Sequence, residues 1–153
     1  MRFILADTGF WIALLDSSDD INKQTAAKEI FSKIKIGNFR ILFPSVVYPE
    51  LLRTKFFKGN KKLKINHLET LLKMEIINPV DDSKYISEAR EITLQEAKRC
   101  KKISFADNII RLTVTNYHEP IAYLITFDKE LIRECRKYVE IYEECYSCAG
   151  IEN

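Results

Sequence analysis

Short apolar runs alternate with longer stretches of helical periodicity along the chain, and few folds accommodate that alternation. Strands are expected at 2–6, 40–43, 75–78 and 121–126, with a weaker run at 138–142. Helices are expected near 9–16, 23–35, 45–57, 64–73, 83–99, 105–116 and 129–136. Over 83–99, Tyr85, Ile86, Ala89, Ile92 and Ala97 share one arc, the buried stripe of an amphipathic helix, and Asp82 or Ser83 stands where a cap belongs. Breaks fall at Gly37-Asn38, Gly59-Asn60, Asn78-Pro79 and Glu119-Pro120. Strands separated by helices run parallel, so the fold class is α/β with a central, mainly parallel sheet.

Size and composition fit one globular unit. The chain has 153 residues, of which 46% are hydrophobic and 30% charged. No uncharged run reaches the ~20 residues of a membrane helix. Asp7 interrupts the apolar N-terminus before a signal-peptide core of about 7 to 15 residues is complete. A cytoplasmic protein with no membrane contact is the default expectation. Residues 1–141 read as the domain and 142–153 as a C-terminal tail without a domain of its own. Cys145 and Cys148 have the spacing of half a zinc site, but no second pair exists, and His67 and His118 lie far away in sequence. With Cys100 and Cys135 they read as reduced intracellular thiols.

Four carboxylates stand where carboxylates ought to be rare. Asp7 ends the run Arg2-Phe3-Ile4-Leu5-Ala6, and Asp128 ends Ala122-Tyr123-Leu124-Ile125-Thr126-Phe127. Glu50 interrupts Ser45-Val46-Val47-Tyr48-Pro49 and Leu51-Leu52, and Asp107 lies between Phe105-Ala106 and Ile109-Ile110. A buried carboxylate needs a partner, a hydrogen bond or a cation. In open α/β sheets ligands bind beyond the carboxyl ends of the strands, where Asp7 and Asp128 would both emerge. Thr8, Ser104 and Thr126 sit beside three of the four acids, as hydroxyls that orient metal-binding carboxylates do. Taken singly, each acid has a plainer reading. Asp7 and Asp128 would be helix N-caps, Glu50 would pair with Arg53 or Lys55, and Asp107 with Arg111. Asp16, Asp19, Asp20, Asp81 and Asp82 read as caps and solvated loop acids. The joint occurrence of the four at one edge favours a metal-dependent hydrolase of phosphodiesters. Oxygen-only ligands select Mg²⁺ or Mn²⁺, with Asp7 and Asp107 as direct metal ligands and Glu50 and Asp128 completing the shell.

The net charge of +2 argues little, but its distribution argues more. Arg53, Lys55, Lys58, Lys61, Lys62 and Lys64 follow one another without an intervening acid. Lys98-Arg99 and Lys101-Lys102 come shortly before Asp107. Such patches attract phosphate backbones, and Arg53, Lys55, Lys58, Lys61 and Lys62 are the RNA-binding candidates. Phe56, Phe57 or Trp11 would stack bases if exposed, although Trp11 is expected in the core.

On these residues the chain resembles the PIN-domain ribonucleases, especially the small proteins related to VapC toxins. The segments that carry the resemblance are Ile4–Asp16, Pro44–Leu52, Ser104-Phe105-Ala106-Asp107 and Leu124-Ile125-Thr126-Phe127-Asp128, in that order. The resemblance implies a PIN-like three-layer α/β/α fold with the acids gathered in a negative pocket. It also implies a Mg²⁺- or Mn²⁺-dependent endoribonuclease that acts as a homodimer, with a small antitoxin protein as partner. Asp7, Glu50, Asp107 and Asp128 would form its site.

Other classes fit less well. A phosphatase of the haloacid dehalogenase type needs a second Asp two residues after the first, where Gly9 stands. No glycine-rich phosphate loop occurs, and the acid spacing of a receiver domain is absent. A non-catalytic RNA- or partner-binding module and a housekeeping RNA-processing nuclease remain as alternatives.

Overall fold

Five strands form one sheet in the order β3-β2-β1-β4-β5. They are β1 (Arg2–Ala6), β2 (Phe39–Pro44), β3 (Ile77–Val80), β4 (Ile121–Ile125) and β5 (Glu140–Ile141). The computed structural model describes residues 1–152. Every neighbouring pair of strands is parallel, so the expected mainly parallel sheet is wholly so. Helices flank it, as in a PIN-like α/β/α architecture: α1 (Thr8–Leu15), α2 (Ile21–Ile36), α3 (Val47–Arg53), α4 (Lys55–Lys58), α5 (Lys61–Leu72), α6 (Ile86–Lys98), α7 (Phe105–Asn116), α8 (Lys129–Cys135) and α9 (Glu143–Ala149).

The central strands are apolar because both of their faces are covered. Ile4, Leu5, Ile41, Leu42, Leu124 and Ile125 are wholly buried. Trp11 meets Phe43 at 5.0 Å and Phe10 at 5.1 Å between ring centres, so it belongs to the core, as expected. Truncating such a residue to alanine costs about 3–5 kcal/mol.

Several local expectations are corrected. The third strand lies at 77–80 rather than 75–78, and Pro79 sits inside it instead of ending it. An edge strand tolerates a residue without an N–H, and β3 is an edge. The helix expected over 45–57 divides at Thr54, whose backbone is extended and whose hydroxyl donates to the Leu51 carbonyl at 2.7 Å. Pro49 falls in the first turn of α3, where no intrahelical acceptor awaits its missing N–H. The stripe over 83–99 starts with a 3₁₀ turn at Ser83–Tyr85 and then buries Ala89 and Glu96, while Ile86 and Ala97 face solvent. Glu96 takes the inner position because Arg111 pairs with it at 2.8 Å. Asp82 neither caps a helix by its side chain nor stands in solvent. It is buried and accepts from the Val46 amide at 2.9 Å, tying the entry of α3 to the end of β3.

The segment read as a tail contributes α9, which packs on α2 and buries Cys145 completely. It therefore joins the core of the same domain. All four cysteines are free thiols. Burial pushes Cys135 and Cys145 up to about 12, which leaves both unreactive near neutral pH.

Candidate active site

Strand order reverses at β1, which has β2 on one side and β4 on the other. Ala6 is level with Ile125, and the Asp7 amide donates to the Ile125 carbonyl at 3.1 Å. Asp7 thus leaves the sheet at the crevice where open α/β folds bind ligands. It is also the N-cap of α1, accepting from the Phe10 amide at 3.1 Å through Oδ1. A side chain at Gly9 would place its Cβ 3.3 Å from that oxygen, so glycine leaves the carboxylate room.

The other Asp7 oxygen accepts from the Thr126 hydroxyl, which in turn accepts from the Asp128 amide at 3.1 Å. Asp128 caps α8, accepting from the Leu131 amide at 2.8 Å. Asp107 belongs to a capping box at the start of α7. Its Oδ2 accepts from the Ser104 amide at 3.0 Å and from the Ser104 hydroxyl at 2.8 Å, while its own amide donates back to that hydroxyl. Glu50 lies in the first turn of α3 and accepts from the Thr8 hydroxyl. Each of Thr8, Ser104 and Thr126 therefore donates to one of the site carboxylates.

All four carboxylates line one cavity of about 340 Å³, with Thr8, Gly9 and Ser104 beside them and Phe127 and Ile110 forming an apolar wall. Burial is the main force on the protonation of Asp7, Asp107 and Glu50. It drives Asp7 up to about 7, against the hydrogen bonds from Thr126 and Phe10 and with help from the charges of Asp107 and Asp128. Asp107 is raised by burial, opposed by Ser104, and raised further by Asp128. Glu50 is raised by burial, opposed by Thr8, with Asp107 raising it and Arg53 lowering it. These charges act on one another across the cavity, and a cation there would relieve Asp7, Asp107 and Glu50.

The donors suit a hard divalent cation, since the lining residues offer carboxylate and hydroxyl oxygens without thiol or imidazole. Among the described residues, no group of three or more acidic, imidazole or thiol side chains stands as a ready-made metal cage. Mg²⁺ needs no such cage: it binds through one or two carboxylates and keeps several waters. The carboxylates on that cavity are the groups that could hold it.

The plainer readings of Asp7 and Asp128 as caps hold together with the site reading. The pairing expected between Asp107 and Arg111 does not form. Arg111 donates instead to Glu96 at 2.8 Å and Asn108 at 2.7 Å, and its guanidinium lies 3.4 Å from Glu134 on α8. Arg53, Lys55, Lys58, Lys61 and Lys62 are exposed on α3, α4 and α5, and none lines the acidic cavity. Lys64 is engaged with the Phe56 carbonyl and stands 4.4 Å over the Phe56 ring. Phe57 is buried, which removes it as a base-stacking residue. Sequence reasoning missed Lys23, a cation on the cavity wall supplied by α2. Nothing local to Lys23 signals this; only the packing of α2 on α1 brings it there.

The PIN-domain family model matches residues 4–137, and the chain belongs to that family. Among solved structures, VapC20 of Mycobacterium tuberculosis, described as a sarcin-ricin loop cleaving toxin, is similar with a TM-score of 0.67 at 15% identity, over 85% of this chain and 93% of that one. VapBC2 from Rickettsia felis, bound to a promoter DNA fragment, aligns with a TM-score of 0.66 at 15% identity, over 93% of this chain and 100% of that chain. VapBC-1 from nontypeable Haemophilus influenzae aligns with a TM-score of 0.63 at 18% identity, over 94% and 98%. These likenesses show a shared fold. No curated protein sequence matches the chain.

Proposed function

We propose that this chain is a metal-dependent endoribonuclease, acting as the toxin of a toxin–antitoxin pair. The observation that carries the reading is the convergence of Asp7, Glu50, Asp107 and Asp128, from four separate segments, on one cavity at the switch point of a PIN fold. The similarity in fold to a toxin that cleaves the sarcin-ricin loop supports it further. Mg²⁺ or Mn²⁺ is the proposed cofactor, a small antitoxin protein and a second copy of the chain are the proposed partners, and the cytoplasm is the proposed compartment. Among the described residues no helix is long and apolar enough to cross a membrane.

In this reading Asp7 and Asp107 hold the cation, each fixed in direction by a hydroxyl and a backbone amide. Glu50 and Asp128 face the same space and accept protons from water or orient it. Phe127 and Ile110 restrict water on one side of the cavity. The bound cation supplies Lewis acidity toward the phosphoryl oxygens and lowers the pKa of water. The exposed cations from Arg53 to Lys62 contact the RNA backbone outside the cavity.

The test is cleavage of labelled RNA with Mg²⁺ or Mn²⁺. Asp7→Asn and Asp107→Asn should each abolish it while keeping the fold. Millimolar Mn²⁺ should raise the thermal midpoint of the wild type and not of the variants, because a ligand of the native state stabilises it by mass action. Undiminished cleavage by both variants would refute the site. A wild type that binds RNA without cutting it would point to the non-catalytic module.

A further inference from the structure

We propose that Lys23 is the side chain that holds the scissile phosphate at the mouth of the acidic cavity, an inference that rests on the nuclease reading. Lys23 is the third residue of α2, and its amide donates to the capping carboxylate of Asp20 at 3.1 Å, so the start of the helix is fixed. Its side chain is half-buried and lines the cavity shared by Asp7, Glu50, Asp107 and Asp128.

Two observations separate Lys23 from the other cations. It is the cation on that wall among the described residues, whereas Arg53 and the lysines after it lie elsewhere. It also has no ion-pair partner among the described residues, unlike Lys33 with Glu144, Lys101 with Glu134 or Arg133 with Glu130. A lysine serving only to neutralise the cavity would be paired with one of its acids. Lys23 instead lines the same cavity without an ion pair to any of them.

The chemistry gives such a group a role beside the metal. A phosphodiester approaching four carboxylates is repelled, and a cation at their edge offsets that repulsion where the phosphorus must stop. An ammonium is a compact point charge with three rotatable donors, suited to a non-bridging oxygen whose direction changes during the reaction. Partial burial strengthens the contact relative to a fully hydrated lysine. Lys23 also borders a second groove of about 500 Å³ between α2 and α9, whose walls carry Asp20, Glu29 and Glu144.

The experiment compares wild type, Lys23→Met and Lys23→Arg on a labelled single-stranded RNA in Mn²⁺. Cleavage kinetics are read first. Anisotropy of the same RNA is then measured in the Asp107→Asn background, with and without the Lys23→Met change. Loss of a charge-assisted hydrogen bond predicts a fall of about 10- to 100-fold in kcat/KM for Lys23→Met. The slope of log affinity against log salt should shrink by about 0.7, the value for one phosphate contact on a single strand. Lys23→Arg should recover most of the rate, and the thermal midpoint should not move. Wild-type kinetics and salt slope in Lys23→Met would overturn the inference and leave the nuclease reading standing. A rate loss with an unchanged slope and a lowered midpoint would overturn it as a structural effect. If the wild type does not cut, the nuclease reading fails, and an unchanged anisotropy on removing Lys23 overturns this inference as well.

Discussion

Replacing Asp7 with asparagine should stabilise the metal-free protein at pH 8 and leave its stability near pH 4 almost unchanged. Asp7 is 8% exposed, and burial holds its carboxyl at about 7 instead of 3.8. A carboxyl with a raised folded pKa binds its proton more tightly in the native state than in the unfolded chain. Its contribution to stability is therefore intact below pH 3.8, declines as pH rises through about 7, and is lost above that. The difference corresponds to about 4 kcal/mol at full ionisation. Asparagine keeps the structural work of the residue. Its Oδ1 still accepts from the Phe10 amide, and asparagine ranks among the best N-caps. The Thr126 hydroxyl can rotate to accept from Nδ2. Urea denaturation of both proteins in EDTA at pH 4.5, 6 and 8 gives the difference directly. The advantage of Asp7→Asn should grow across that series towards about 4 kcal/mol. Mn²⁺ at about a thousand times its Kd should erase it, since that concentration adds about 4.1 kcal/mol to the wild type alone. A variant that is less stable at pH 8, or one whose advantage ignores pH, would refute the claim that Asp7 is held against its own charge.

Two further substitutions probe the scaffold around the site. Arg111→Met leaves Glu96 buried without its cation and should cost about 3–5 kcal/mol in urea denaturation, much of it recovered by adding Glu96→Gln. Asp82→Ala strands the Val46 amide at the entry of α3 and should cost about 1–3 kcal/mol. Because α3 carries Glu50, the same variant should also cut RNA more slowly at a temperature where it remains folded.

The sequence reveals most where one residue's environment is local. Asp7 and Asp128 each follow an apolar run that can only be a covered parallel strand, so their place at the sheet edge follows from β1 and β4 alone. Glu50 and Asp107 are less legible, since each lies within a helical stretch whose start fixes the direction of its side chain: Pro49 obscures the start of α3, and Asp107 depends on the Ser104 capping box. What remains hidden depends on contacts far apart in the chain. Asp82 looks like a loop acid until β2 and β3 pair and bring Val46 to it. Lys23 looks like any helix-surface lysine until α2 packs on α1. The buried place of Glu96 requires Arg111 on another helix, and the core position of Cys145 requires α9 to dock on α2. Pro79 misleads because only its edge position makes it acceptable within a strand.

The capping role and the site role of these acids look like rivals, yet each depends on the other. A carboxylate free to rotate at a strand end would turn to solvent, where its charge is cheapest. The Phe10 and Leu131 amides fix Asp7 and Asp128 in direction, and the Ser104 box does the same for Asp107. These hydrogen bonds to the charged form work against burial, and the positive end of α1 favours ionised Asp7. They do not win at Asp7, whose pKa still reaches about 7. Asp7 and Asp107 are thus satisfied on one side by nearby backbone amides and still raised by burial at the shared cavity. That residue of unfavourable charge is what a divalent cation would remove on binding.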